Sequence, residues 1–131
     1  MHFENVLLSN ITFIECSFID CNLSNTKVNF AAFKDTTFEN CKLLGIKFND
    51  SNPFLLNFIF NQCDLTLASF YQLKIKNTAF KNCNLQEVDF TETDLSQYDF
   101  DNCDLSRAIF ENSNLEKANL QLQTILILTQ K

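Results

Sequence analysis

Large apolar residues return at every fifth position along this chain. Phe, Leu, Ile or Val occupies positions 3, 8, 13, 18, 23, 28, 33, 38, 43 and 48, and then 55, 60 and every fifth residue to 120. All 24 of these positions are apolar in a chain that is 46% hydrophobic. A chance run of that length is on the order of one in a hundred million. An α-helix turns ~100° per residue, so positions five apart drift by ~140° and share no face. The pattern therefore excludes an amphipathic helix. A second signal lies two residues before many of these centres, at Cys16, Cys21, Thr26, Ala31, Thr36 and Cys41, and again at Cys63, Ala68, Thr78, Cys83, Val88, Cys103, Ala108, Ser113 and Ala118. Positions two apart lie on one side of an extended strand. Each repeat is thus a short extended side with a small and a large residue inward, followed by two residues that turn a corner.

The number of sides follows from Cys-x-Leu, which recurs at Cys21, Cys41, Cys63, Cys83 and Cys103. The steps are 20, 22, 20 and 20 residues, the longer one holding an insertion of two. Four repeats of five make one coil, so like residues stack on the coil above. One wall collects Leu23, Leu43, Leu65, Leu85 and Leu105; another Phe18, Phe38, Phe60, Phe80 and Phe100; the wall opposite that one Phe48, Phe70, Phe90 and Phe110. The expectation is an all-β fold, a quadrilateral parallel β-helix of about six coils. At ~4.8 Å between stacked strands it is roughly 29 Å long. A single domain over 1–131 is expected, with a first register at 1–48, a bulge at 49–54, a second register at 55–120 and a tail at 121–131.

The segments NCDLSRAIFENSNLEKANL and NCNLQEVDFTETDLS resemble the pentapeptide-repeat family, whose consensus is A(D/N)LXX. The resemblance covers residues 1 to about 120 and implies a right-handed quadrilateral β-helix, a pentapeptide-repeat solenoid. Well-known members, the Qnr-type proteins, bind type II topoisomerases by looking like a rod of duplex DNA. The single glycine, Gly45 in LLGIKF, matches a glycine at a bend between two parts of the helix in Qnr-type proteins. Just after it, Asn49, Asp50, Ser51, Asn52 and Pro53 hold the insertion and are rich in turn formers. Topoisomerase-protecting members tend to carry longer projecting loops, whereas here the count from Leu55 to Leu120 is unbroken.

Charge and composition narrow the function. Sixteen acids against ten Lys and Arg give a net charge of −6, which argues against direct nucleic-acid binding. The longest apolar stretch, Phe54 to Phe60, falls far short of the ~20 residues of a membrane span. The opening MHFENVLLSN has neither a charged n-region nor a long apolar run, so no signal peptide is expected. His2 is the only histidine, and no nucleophile with its base and no glycine-rich phosphate loop is present. No enzyme activity, cofactor or metal is expected. The six cysteines contain no C-x-x-C pair and read as free thiols filling the small inward slot, which points to a reducing, cytoplasmic setting.

From Glu87 to Asp104 the chain carries Glu87, Asp89, Glu92, Asp94, Asp99, Asp101 and Asp104 and no Lys or Arg. Twenty-residue stacking sets Arg107 over Glu87, Lys74 under Asp94 and Lys81 under Asp101. Asp89, Glu92, Asp99 and Asp104 have no such axial cation and are the candidate partner-binding acids, against the reading that this is a solvated, solubilising surface. Duplex DNA of ~29 Å carries roughly 17 charges, so any mimicry by a chain of net −6 must be local. In the tail, Leu122, Leu126, Ile127 and Leu128 add more apolar surface than one wall can bury. That predicts a cap or a homodimer through the C-terminal end, as the resemblance to Qnr-type proteins also implies. Two functions stay open: a non-enzymatic, DNA-mimicking protein that interacts with DNA gyrase, and a structural or interaction scaffold with another partner.

Overall fold

The computed structural model describes residues 6–74, 78–96, 98–116 and 118–120. Among these residues there are eight short strands: β1 (Thr12–Ile14), β2 (Ser17–Ile19), β3 (Ala32–Lys34), β4 (Thr36–Glu39), β5 (Phe58–Asn61), β6 (Ala79–Lys81), β7 (Asp99–Asp101) and β8 (Asn119–Leu120). All pair in parallel. One side of the rod is a six-stranded ladder, β2-β4-β5-β6-β7-β8, with Phe18, Phe38, Phe60, Phe80, Phe100 and Leu120 in register. Apart from the β1–β3 pair, the other sides pair through single-residue bridges, such as Asn22–Lys42–Asp64–Asn84–Asp104 and Lys47–Ser69–Asp89–Ile109. The fold is the expected right-handed quadrilateral parallel β-helix, with a coil count slightly below six. The first and last coils lie partly outside the described residues, and the third coil has no strand over β3. Among the described residues no helix is long and apolar enough to cross a membrane.

The core is built from stacked rings. Phe18, Phe38, Phe60, Phe80 and Phe100 follow one another at centroid distances of 5.0, 5.3, 5.1 and 5.3 Å, nearly parallel. Phe48, Phe70, Phe90 and Phe110 form the facing column at 5.1, 5.5 and 5.4 Å. The two columns meet edge to face, as Phe80 and Phe90 do at 6.1 Å and 82°. Burying one Phe contributes about 1.5–3 kcal/mol, and a favourable ring pair adds about 0.5–1.5 kcal/mol.

The corners follow one rule. Many close with a hydrogen bond from the residue three beyond a centre back to the centre's carbonyl, as in Thr26 to Leu23 at 3.1 Å and Ala68 to Leu65 at 2.9 Å. The residue two beyond the centre takes positive φ at nearly every corner. Asn and Asp, which accept that conformation most readily, fill many of these places, among them Asn10, Asp20, Asn25, Asp35, Asn40, Asn82, Asn102 and Asn112. Phe30, Leu67, Glu87, Glu92 and Arg107 adopt it as well. The left-handed conformation costs roughly 1–2 kcal/mol in an L-residue, so stacking of the coils outweighs local preference at these corners.

The insertion forms two 3-10 turns, Phe48–Asp50 and Pro53–Leu55. Leu55, a centre by the five-residue count, thus ends a turn and does not extend the ladder above β3. Pairing resumes where Phe58 joins Thr36 and Phe60 joins Phe38. Phe58 occupies a slot that on the same side of other coils holds Cys16, Thr36, Thr78 and a second large ring, Tyr98. Phe58 is fully buried against Phe33, Phe48 and Phe60 at 5.4, 5.2 and 5.2 Å. The position before it on the chain is the 3-10 turn Pro53–Leu55, where other coils have a strand or bridge.

Candidate functional site

The inward slot two residues before each centre is more than a space filler. Cys41, Cys63, Cys83 and Cys103 donate their thiols to the carbonyls of Phe18, Phe38, Phe60 and Phe80, one coil below, at 3.1–3.4 Å. Thr93 and Ser113 do the same with hydroxyls, to Phe70 at 2.8 Å and Phe90 at 2.6 Å. The slot therefore accepts a thiol or hydroxyl that donates to the coil below as well as apolar side chains such as Ala31, Ala68, Val88 and Ala108. All six cysteines are free. Hydrogen bonds between neighbouring thiols, with burial adding to them, push Cys41 and Cys83 above the ordinary thiol range. Among the described residues, no group of three or more His, Cys, Asp or Glu is placed to hold a metal ion.

The four candidate acids sit at one level of the rod, on three successive sides. Asp99 is on the six-stranded side, in register with Ala79 below and Asn119 above. Asp104 lies on the Leu105 side above Asn84, and Asp89 on the Phe90 side between Ser69 and Ile109. Glu92 is at the corner after Phe90. Two of these acids also hold a turn. Asp89 Oδ1 accepts from the Thr91 amide at 2.8 Å. Asp104 Oδ1 accepts from the Ser106 amide and hydroxyl at 2.9 and 2.6 Å, and its Oδ2 from Gln86 Nε2 at 2.7 Å. The Ser106 bonds hold the Asp104 carboxyl below its ordinary value, with the Gln86 bond adding to them. Asn22, Asp64, Asn84, Asp94 and Asn114 cap their turns in the same way. That role is the D/N position of the repeat consensus, so the signal is present in the sequence: a side-chain carbonyl two residues ahead of a turn amide.

Glu92 accepts from Gln72 Nε2 at 2.9 Å, and its negative charge, with a hydrogen bond, raises the phenol of Tyr71 above its usual range. Stacking by 20 residues is realised in the axial pairs. Arg107 meets Glu87 at 3.3 Å, and Lys74–Asp94 and Lys81–Asp101 are register neighbours. The Arg107–Glu87 pair is exposed and contributes a few tenths of a kcal/mol at most in water and salt.

At the bulge, Gly45 has φ 69°, and a Cβ there would stand 2.6 Å from Asn25 Oδ1. Asn25, Gly45, Lys27, Lys47 and Asp50 line a cleft of about 60 Å3 between two coils. Ser51 is buried, Asn49 and Asn52 are half-buried, and Pro53 and Phe54 project outward. Asn52 caps the second turn by accepting from the Phe54 amide at 3.1 Å. The neighbouring groove, about 470 Å3, is lined by Lys47, Asn49, Leu67, Ser69, Tyr71, Glu87 and Asp89. Sequence reasoning passed over Leu67 and Tyr71, which are exposed. Their signal was a large apolar or aromatic residue at a corner position. The tail residues Leu122, Leu126, Ile127 and Leu128 lie outside the described residues.

Residues 55–128 match the family described as "Pentapeptide repeat region", and residues 2–40 and 16–52 match "Pentapeptide repeats (8 copies)". No curated protein matches this chain. Among solved structures, the pentapeptide repeat protein Rfr23 from the cyanobacterium Cyanothece 51142 is similar at 16% identity and a TM-score of 0.61, over 92% of this chain and 84% of that one. The plasmid-mediated fluoroquinolone resistance protein QnrB1, in its full-length form, is 18% identical over 98% of this chain and 84% of its own, with a TM-score of 0.34. HetL, a protein involved in heterocyst differentiation regulation from Nostoc sp. strain PCC 7120, is 10% identical over 90% and 88%, with a TM-score of 0.32. With a repeat of five, a core of stacked rings and family matches spanning nearly its whole length, the chain belongs to the pentapeptide-repeat family.

Proposed function

We propose that this protein is a non-catalytic rod that binds another protein through the outward columns of its coils. The observation that carries the reading is the placement of Asp89, Glu92, Asp99 and Asp104 at one level on three successive sides. A partner that closes around the rod meets all four, as a protein clamp around duplex DNA meets phosphates on several sides. Such a clamp is the DNA-binding saddle of a type II topoisomerase. DNA gyrase is therefore the partner proposed, with a cytoplasmic setting and assembly through the C-terminal end belonging to the same reading. The second reading, a scaffold with an unrelated partner, is favoured by the turn-capping bonds of Asp89 and Asp104, which give both acids a structural role.

Gyrase supercoiling assayed with the purified protein tests the proposal. Inhibition is expected, weakening steeply as salt rises because screening acts over about 8–10 Å near physiological ionic strength. Changing the four acids to Asn and Gln is expected to remove it without altering the circular dichroism. No effect at large molar excess, or inhibition that survives loss of all four carboxylates, overturns the gyrase reading.

A further inference from the structure

The side of the rod built on Val28, Phe48, Phe70, Phe90 and Phe110 has an unusual outward column: Leu7, Lys27, Lys47, Ser69, Asp89 and Ile109. Leu7 is bridged to Lys27, and Lys47, Ser69, Asp89 and Ile109 are bridged in turn, with the 60 Å3 cleft between Lys27 and Lys47. The order is apolar, basic, basic, polar, acidic, apolar. We propose that this side docks on the same side of a second copy of the chain, with the two rods antiparallel about a two-fold axis.

Reversing the column against itself sets Leu7 on Ile109, Lys27 on Asp89 and Lys47 on Ser69. Both apolar ends, 71% and 46% exposed, are covered by apolar partners, and the acid faces a base. The same axis returns each corner column to itself reversed. Leu67, which is 60% exposed, then lies at the level of Gly45 and the cleft beside it, where no Cβ stands in the way. Glu87 comes to Asn25, and Gln72 to Asp50, so no like charges meet at these positions. Packing the two sides parallel would instead place Lys27 against Lys27 and Asp89 against Asp89, which charge repulsion disfavours. An isologous contact requires a patch complementary to itself, and this column meets that condition in the antiparallel sense alone.

The side spans five strand spacings, ~24 Å, small for an interface that usually takes ~800 Å2 from each partner. The association is therefore a weak, reversible one. It does not rest on the gyrase reading or on contact through residues 121–131, and because it covers Asp89 and Glu92 it competes with a partner that closes on all four acids.

Sedimentation equilibrium of the full chain from micromolar to ~1 mM measures it. Lys27→Glu and Asp89→Lys are each expected to raise the dissociation constant at least ~tenfold, and the double reversal to restore it to within ~threefold, since the charge pair is re-formed with opposite sign. Leu67→Glu is expected to abolish the dimer. Because Asp89 also caps a turn, Lys27→Glu and Leu67→Glu decide the matter if Asp89→Lys melts by circular dichroism. A monomer at every concentration overturns the proposal. So does a dimer indifferent to Lys27→Glu and Leu67→Glu, including one that vanishes only when residues 121–131 are removed.

Discussion

Cys103 donates its thiol to the carbonyl of Phe80, one coil below and one side back, at 3.2 Å. The bond joins the two repeating elements of the fold, the small inward slot and the ring column, and it recurs from Cys41 upward.

Substitution at Cys83 separates packing from hydrogen bonding. Cys83→Ser keeps a donor of similar size, as Thr93 and Ser113 show in equivalent slots, and is expected to cost less than about 1 kcal/mol. Cys83→Ala loses the bond and leaves a small void, at about 1–2 kcal/mol. Denaturant unfolding of the two variants checks the order; Ala as stable as Ser would show that the bond contributes nothing.

Phe90 lies between Phe70 and Phe110 at 5.5 and 5.4 Å and is fully buried. Phe90→Ala is expected to cost about 3–5 kcal/mol, because rods of stacked rings close poorly over a void. Chemical denaturation would read this as a lower midpoint with a similar slope.

Thiol chemistry should discriminate among the cysteines. A thiol must be reached before it reacts, and Cys21, Cys41, Cys63, Cys83 and Cys103 are all buried. Cys16 is the cysteine outside the buried set. A disulfide reagent near pH 8 is expected to label Cys16 rapidly in the native protein and all six cysteines only after unfolding. Rapid native labelling of Cys83 would contradict the packing.

The acid limb of stability should contain a contribution from Asp104. Its folded carboxyl sits below the ordinary value of 3.8, so its stabilisation is complete above that value and is lost as pH falls through the lower folded one. Asp104→Asn keeps an acceptor for Ser106 but cannot titrate. Melting temperatures measured from pH 6 to pH 2 are expected to fall less steeply for the variant; parallel curves would remove Asp104 from the account.

Gly45→Ala meets two obstacles, a φ of 69° and the Asn25 side chain at 2.6 Å. A loss of about 1–2 kcal/mol is expected from the left-handed backbone, with the contact adding to it. Adding Asn25→Gly should recover the contact part and leave the backbone part. Full recovery in thermal melts would show that the conformation at this corner costs nothing.

The five-residue period, the four walls, the Cys-x-Leu column and the inward Phe columns all follow from the order of residues. In a solenoid each coil repeats the surroundings of the one below, so a one-dimensional period is already a statement about three-dimensional neighbours. The axial pairing of Arg107 with Glu87 could be read off for the same reason. Tertiary structure decided what the period does not encode. The insertion becomes a 3-10 turn at Pro53–Leu55 in place of a strand position, and Phe58 beside it packs on the rings of Phe33 and Phe48 from other repeats. Leu67 and Phe30 take a left-handed corner that their own preferences oppose, since the stack above and below fixes the backbone. Asp89 and Asp104 cap amides only two residues on, a local role the D/N position announces, but the Gln86 side-chain amide that also reaches Asp104 comes from 18 residues away and only once the coils are stacked. A repeat sets which residues are stacked; the space and the hydrogen-bond donors around each one exist only when the coils have closed.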